Sequence, residues 1–250
     1  MILHNPGMKR LSFAAAFFWA ALPAFAGADQ YAGFARYAEE SSLKPFARDL
    51  GGVLGSATFQ SGRSLGLTGF DVGVRFGGQF YPSRDNRILR NNGVRVFGLP
   101  WVQAEVGMPF KLSGFIRGIS YQGLTIAGGG LRYGLYAESD KPWSPQVLVS
   151  VVGHSVVHQD FSASHMGASL VCSAGTPFVA PFVGAGFDRV RLSVHQSTLD
   201  PALNGRAVST LESRFTAGVR LTPYQFTYLS VAYTHAHGQS GAELGLGVRF

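Results

Sequence analysis

From about Leu50 to the C-terminus the chain is a succession of stretches of roughly ten residues in which apolar side chains alternate with small or polar ones, punctuated by turn residues. In the last stretch Ala242, Leu244, Leu246, Val248 and Phe250 share one parity, and Glu243, Gly245, Gly247 and Arg249 the other. Phe70, Val72, Val74 and Phe76 alternate with Asp71, Gly73, Arg75 and Gly77. Val102, Ala104, Val106 and Met108 alternate with Gln103, Glu105 and Gly107, and Leu131, Tyr133 and Leu135 with Arg132, Gly134 and Tyr136. Leu211, Phe215, Ala217, Val219 and Leu221 alternate with Glu212, Arg214, Thr216, Gly218 and Arg220. A period of two predicts strands whose two faces meet different surroundings.

A soluble β-sandwich alternates as well, with its polar face in water. Three features point instead to strands that meet lipid. The polar face is rich in Gly and carries both signs of charge, the strands are long enough to span a bilayer when tilted, and an export leader precedes them. In that leader Met8-Lys9-Arg10 is a positive start, Leu11–Leu22 is apolar, Pro23 breaks the run and Ala24-Phe25-Ala26 is a cleavage site. This predicts a signal peptide over 1–26, a mature start at Gly27, and Met8 rather than Met1 as the initiator. The expected fold is all-β: a transmembrane antiparallel up-and-down β-barrel, apolar side to lipid and Gly-lined polar side to the lumen. Closure removes the strand edges that lipid cannot satisfy.

Connection lengths set the orientation. Turns near 108–110, 140–142, 175–177 and 222–224 are short, whereas 81–98 and 196–207 are long. Long loops outside and short turns in the periplasm place the C-terminus in the periplasm, and an even strand number puts the N-terminus there too. Ten strands are counted between roughly 66–80 and 241–250, with a candidate eleventh at 51–60 and twelve as the alternative total. The expected divisions are therefore 1–26 leader, 27–50 N-terminal segment and 51–250 barrel. Within 29–50, Tyr31, Phe34, Tyr37 and Ala38 recur at helical spacing with Glu39 and Glu40 opposite, and Pro45 interrupts the run. This short amphipathic helix is either a periplasmic flap or a plug in the lumen.

Composition agrees with that picture. Charged residues are only 14% of the 250, with 33 Gly and 20 Phe, against roughly 25% charged in soluble domains. Beyond the leader no run approaches the ~18 apolar residues of a membrane helix. The single cysteine, Cys172, excludes an intramolecular disulfide framework, and no cysteine follows the leader to carry a lipid anchor. The formal charge is +7. In an exported chain that charge meets lipopolysaccharide phosphate before nucleic acid, so no nucleic-acid partner is expected.

The lumen face supplies the main candidate constellation: Asp71, Arg75, Glu105, Arg132, Asp188, Glu212, Arg214, Arg220, Glu243 and Arg249. Either these pair as salt bridges that set the barrel's shape, or their arginines line a path selecting anionic or amphiphilic solutes. Gly69, Gly73 and Gly77 leave space on the same face. In the loop Ser83–Arg90, Arg84, Arg87 and Arg90 suit lipopolysaccharide phosphates, which guanidinium groups bind in bidentate fashion. Tyr81, Trp101, Tyr133, Tyr228 and Tyr233 are placed for interfacial girdles. His235 and His237 share a parity that could hold a metal, and His158, Asp160 and Ser162 form a hydrolytic trio on paper; neither has the supporting groups that would make a cofactor, a metal or catalysis the expectation.

The terminal Leu244-Gly245-Leu246-Gly247-Val248-Arg249-Phe250, with Leu244, Leu246, Val248 and Phe250 on one face, resembles the signal read by the outer-membrane barrel-insertion machinery. Residues 43–80, including Leu43-Lys44-Pro45 and Gly69-Phe70-Asp71-Val72-Gly73, resemble an uncharacterised family of outer-membrane barrels. These barrels are in turn remotely similar to long-chain fatty-acid transporters with an N-terminal hatch. The resemblance implies a plug role for 29–50. Motifs of outer-membrane phospholipases and lipid A-modifying enzymes are not recognisable. The reading is a non-enzymatic outer-membrane barrel, a narrow channel or binder for small amphiphilic or anionic solutes. The alternatives are a structural or adhesive barrel and, third, a lipid-modifying enzyme.

Overall fold

The computed structural model describes residues 29–137 and 141–250. The expected leader over 1–26 lies outside them. Ten strands follow one another as an antiparallel meander: β1 Phe70–Gln79, β2 Phe97–Gly107, β3 Leu112–Tyr121, β4 Leu124–Ala137, β5 Gln146–Val157, β6 Phe161–Ser173, β7 Val179–Val194, β8 Ala207–Tyr224, β9 Thr227–Ala236 and β10 Gln239–Arg249. β10 returns to β1, with Val72 opposite Val248 and Val74 opposite Leu246, so the sheet closes into a barrel without edges. Reciprocal backbone bonds between Phe70 and Phe250, at 3.1 and 2.8 Å, extend the seam, and the Phe250 ring stacks on Phe226.

The alternation decides which way each side chain points. Val102, Val106, Ile116, Leu131, Leu135, Met166, Leu170, Val183, Phe187, Phe215 and Val231 lie exposed on the outer wall. Asp71, Arg75, Gln103, Glu105, Arg117, Arg132, Asp188, Arg214 and Glu243 lie buried on the inner one. Leu244 and Val248 face outward beside β1. Leu211 and Leu221 bound the outward apolar row of β8, a rise of about 33 Å along the strand and about 25 Å along the axis at the usual tilt near 40°.

Two ends are distinguishable. One carries the long connections 80–96 and 195–206 and the tight turns 122–123, 158–160 and 237–238; we term it the loop end. The other carries the connections 108–111, 174–178 and 225–226 and residues 141–145, together with Phe250. Exposed Phe110, Trp143, Phe178, Tyr224, Phe226 and Phe250 ring this C-terminal end. Of the aromatics assigned to girdles from the sequence, Tyr81, Tyr133 and Tyr233 are exposed. Trp101 and Tyr228 are instead buried in the lumen, because they share the inward parity of Gln103 and Ser230.

The N-terminal segment runs inside the barrel. α1 Phe34–Tyr37 and α2 Glu40–Gly55 lead from the loop end into the lumen, and residues 56–69 continue to the start of β1 at the opposite end. Residues 51–60 are therefore not a wall strand but lie within the barrel, and the wall begins at β1. α2 also passes Pro45 without breaking. A lone helix enclosed by a closed sheet has no strand edge to pair with and must satisfy its own backbone, which favours helix over strand for Gly51–Gly55. Leu43, Phe46, Ala47, Leu50, Val53 and Leu54 recur at helical spacing and are all buried. Two wall glycines make room for the chain just beyond α2: a Cβ on Gly77 would collide with Ser56, and one on Gly184 with the Phe59 ring. Their smallness serves close approach of the inner segment, so at Gly77 the expected free space is filled.

The described chain starts at the loop end, where the backbone Gln30 N–H donates to Gln122 and Asn92 donates to the Asp29 carbonyl, whereas Phe250 lies at the other end.

Candidate functional site

The lumen is built in three tiers. At the loop end the inner segment makes an apolar seal: Tyr31, Phe34, Phe46, Phe97 and Phe161 are fully buried together with Ile88 and Leu89 of the short helix α3 Arg87–Asn91. Phe34 and Phe161 rings stand 4.6 Å apart, and Phe46 meets Phe161 edge-on at 5.2 Å. Beside them Asp49 of α2 forms a clasp. It accepts from Gln79 Nε2 at 3.0 Å, Ser83 N at 2.9 Å, Asn86 Nδ2 at 2.6 Å and His237 Nε2 at 2.8 Å. Burial alone would raise this carboxyl; the hydrogen bonds from His237, Ser83, Asn86 and Gln79 outweigh it and hold the group below the ordinary carboxylate range. The clasp is therefore kept at neutral and mildly acidic pH and is lost only as pH falls through that lowered value. Arg87–Glu39 at 2.7 Å and Arg206–Glu40 at 2.5 Å tie both long loops to the start of α2. Arg84 and Arg90 are exposed on the same loop, which folds over the lumen mouth through buried Asn86, Ile88 and Leu89.

The middle tier holds most of the charges expected from the sequence. Arg132 pairs with Glu105, Arg214 Nε lies 2.8 Å from Asp188, and Arg75 lies 3.5 Å from Asp71. Glu243 accepts from Thr216, and Glu212 pairs with Arg48 of α2 nearer the loop end. With its amide oxygen turned towards them, Gln103 accepts from Arg75 at 3.2 and 3.3 Å and from Arg132 at 3.2 Å. These arginines also hold the inner chain. Arg117 donates to the Ser56 carbonyl at 3.2 Å, Arg75 to that of Ala57 at 3.2 Å, and Arg132 to that of Thr58. Three guanidinium groups thus stand just past the C-terminus of α2, where unpaired carbonyls and the helix dipole favour cations. Part of the arginine excess is explained by the plug's own backbone.

Several of these side chains were not singled out from the sequence, although their parity was legible. Arg117 shares the inward parity of Ser113 and lies 3.8 Å over the Trp101 ring. His154 shares that of Ser150, and its Nδ1 lies 2.9 Å from His165 Nδ1, while His165 Nε2 reaches Asp188 at 3.0 Å. Asp49 lacked any local signal, since its partners are distant in sequence.

The third tier is open. At the C-terminal end a cavity of about 240 Å³ is lined by Arg63, Lys141, Arg220, Arg249, Phe226 and Tyr228, with hydroxyls from Ser61, Thr176, Thr222 and Thr227. No carboxylate among the described residues lines it. Outside the lining, Asp71 accepts from two of its members, Tyr228 Oη at 2.9 Å and Arg249 Nε at 3.0 Å. Arg220 has no carboxylate partner among the described residues, and its Nε is buried without a hydrogen bond. Four cations, one with an unused donor, and an aromatic wall suit an anion carrying a small apolar portion.

Two groupings weighed on the sequence separate. His235 is exposed on the outer wall beside Tyr233, whereas His237 turns inward to Asp49, so the two histidines do not face each other. The trio of His158, Asp160 and Ser162 is likewise split: His158 is buried against Phe161, and Ser162 faces the other way, 3.0 Å from His195 Nε2. Among the described residues no group of three potential metal ligands stands together.

Neither a family model nor a curated protein matches the chain, and the similarity to fatty-acid transporters is not shown. Solved barrels align weakly. Neisserial surface protein A is 16% identical, with 72% of this chain and 95% of that chain covered and a TM-score of 0.31. Ail of Yersinia pestis, solved with the heparin analogue sucrose octasulfate, is 11% identical over 73% and 97%, with a TM-score of 0.30. An OmpT loop-deletion mutant, an outer membrane protein of Vibrio cholerae, is 9% identical over 72% and 76%, with a TM-score of 0.26. The ten-strand closed barrel is established by this chain's own strand pairing.

Proposed function

We propose that the chain is an outer-membrane barrel, closed by its own N-terminal segment, that binds a small anionic or amphiphilic solute at its C-terminal mouth. The membrane reading is supported by the outward apolar wall, the aromatic ring at the C-terminal end and the absence of strand edges. With the long loops outward, the mouth opens to the periplasm. A plugged lumen favours binding over free conduction. The observation that carries the ligand class is the cavity of about 240 Å³ with four cationic side chains and no described carboxylate in its lining.

Calorimetric titration of the detergent-solubilised protein with inorganic phosphate and with a short-chain alkyl phosphate tests this reading. Arg220→Gln is expected to weaken both by about 10-fold or more, since a hydrogen bond to a charged group is worth roughly 1.5–3 kcal/mol. Phe226→Ala is expected to weaken only the alkyl phosphate. Unchanged affinity in Arg220→Gln, or no binding by the wild-type protein, contradicts it.

A further inference from the structure

The outer wall carries a second cationic feature, on the opposite half of the barrel from the cavity. On β7 the outward residues up to Phe187 are apolar; the next two outward positions are Arg189 and Arg191, both exposed. The inward positions between and around them, Asp188, Val190 and Leu192, are buried, so the two guanidinium stems leave on the outer side. Strand register fixes their neighbours. Arg189 lies between Met166 of β6 and Leu211 of β8, each exposed and apolar, whereas Arg191 lies between Ser164 and Ser209. The apolar wall therefore gives way to a polar one between these two rows. Neither arginine has a carboxylate partner among the described residues. Two like charges about 7 Å apart along one strand repel each other, and at the rim of an apolar band only a counter-anion relieves both the repulsion and the loss of water.

We infer that Arg189 and Arg191, with the Ser164 and Ser209 hydroxyls, bind the phosphate of an outer-leaflet lipid whose acyl chains lie against Met166, Phe187 and Leu211. The inference rests on the outer-membrane reading with the loop end outward. It moves the lipid-phosphate contact from the loop arginines to the wall. Arg87 is already engaged by Glu39, and Arg84 and Arg90 sit on a loop that folds over the lumen mouth. The chemistry is that of a phosphorylated amphiphile: a bidentate guanidinium clamp, flanking hydroxyl donors and an apolar surface directly beneath.

The test is lipid retention. The full-length protein is reconstituted in phosphatidylcholine vesicles containing phosphorylated lipid A or its dephosphorylated form, extracted in mild detergent, and lipid adducts are counted by native mass spectrometry. The wild-type protein is expected to retain the phosphorylated lipid at least tenfold over the dephosphorylated one. The Arg189→Gln/Arg191→Gln pair is expected to abolish that preference, while Arg84→Gln/Arg90→Gln leaves it intact. All four substitutions lie on exposed side chains, and an unchanged heat-dependent gel shift certifies a folded barrel. Equal retention by the inserted wild-type protein and the β7 pair overturns this site alone. Failure of the wild-type protein to insert overturns the membrane reading and this site with it.

Discussion

In a planar bilayer the intact barrel is expected to carry no steady ion current, and the same barrel lacking residues 29–66 is expected to conduct. The seal in the intact chain has two components. Tyr31, Phe34, Phe46 and Phe161 are fully buried against one another at the loop end, and deeper in, Arg75, Arg117 and Arg132 are bound to carbonyls of residues 56–58. Deleting the segment leaves every wall hydrogen bond in place, because β1 pairs only with β2 and β10. Water then solvates the exposed inner face. Arg75, Arg117, Arg132, Arg214, Arg220 and Arg249 outnumber Asp71, Glu105, Asp188, Glu212 and Glu243 there, so the opened lumen is expected to pass anions somewhat better than cations. Current through the intact chain at rest, or silence of the deleted chain despite a folded barrel, would contradict the plug.

The second large effect is expected at Asp188. Its carboxylate accepts from Arg214 Nε at 2.8 Å and from His165 Nε2 at 3.0 Å, with all three side chains at most 3% exposed. Asp188→Ala removes the anion and leaves the Arg214 guanidinium buried without it. Breaking a buried pair from one side costs about 3–5 kcal/mol. Asp188→Asn keeps the shape and one acceptor and is expected to cost less. Replacing both partners, Asp188→Asn with Arg214→Met, is expected to recover much of the loss, since no charge is then stranded. Urea unfolding followed by the heat-dependent gel shift reads the series. A cost under about 0.5 kcal/mol in Asp188→Ala would mean that water reaches Arg214, contrary to a packed lumen.

The barrel was legible because a closed wall with an apolar outside leaves the sequence little freedom. One parity of every strand is apolar, so Leu244 to Phe250, Val72 to Phe76 and Leu211 to Leu221 disclosed both the outer face and the run of strands that closes. The inner segment was less legible. Gly51-Gly52-Val53-Leu54 reads as well for a strand as for a helix, and only the absence of any edge inside a closed barrel decides between them. Pro45 looked like an interruption, yet α2 continues through it within a surrounding wall. The lumen charges were found by parity, but their assignment to structure or to a ligand depends on three-dimensional partners. Arg75 and Arg132 are consumed by carboxylates and by the plug's carbonyls, whereas Arg220 is left facing a cavity. Asp49, whose partners lie 30, 34, 37 and 188 residues away, had no signature at all.

That the N-terminal segment is seated in the lumen is tested most directly by a cross-link between α2 and the wall. A Cβ placed on Gly51 stands 3.8 Å from the Val190 Cβ of β7, the mean separation of roughly 3.8 Å in disulfides. In a Cys172→Ser background, Gly51→Cys with Val190→Cys is expected to form a disulfide on mild oxidation of the folded protein in membranes, read as loss of two titratable thiols. Two thiols that stay free in a folded barrel would show that α2 is not seated against β7.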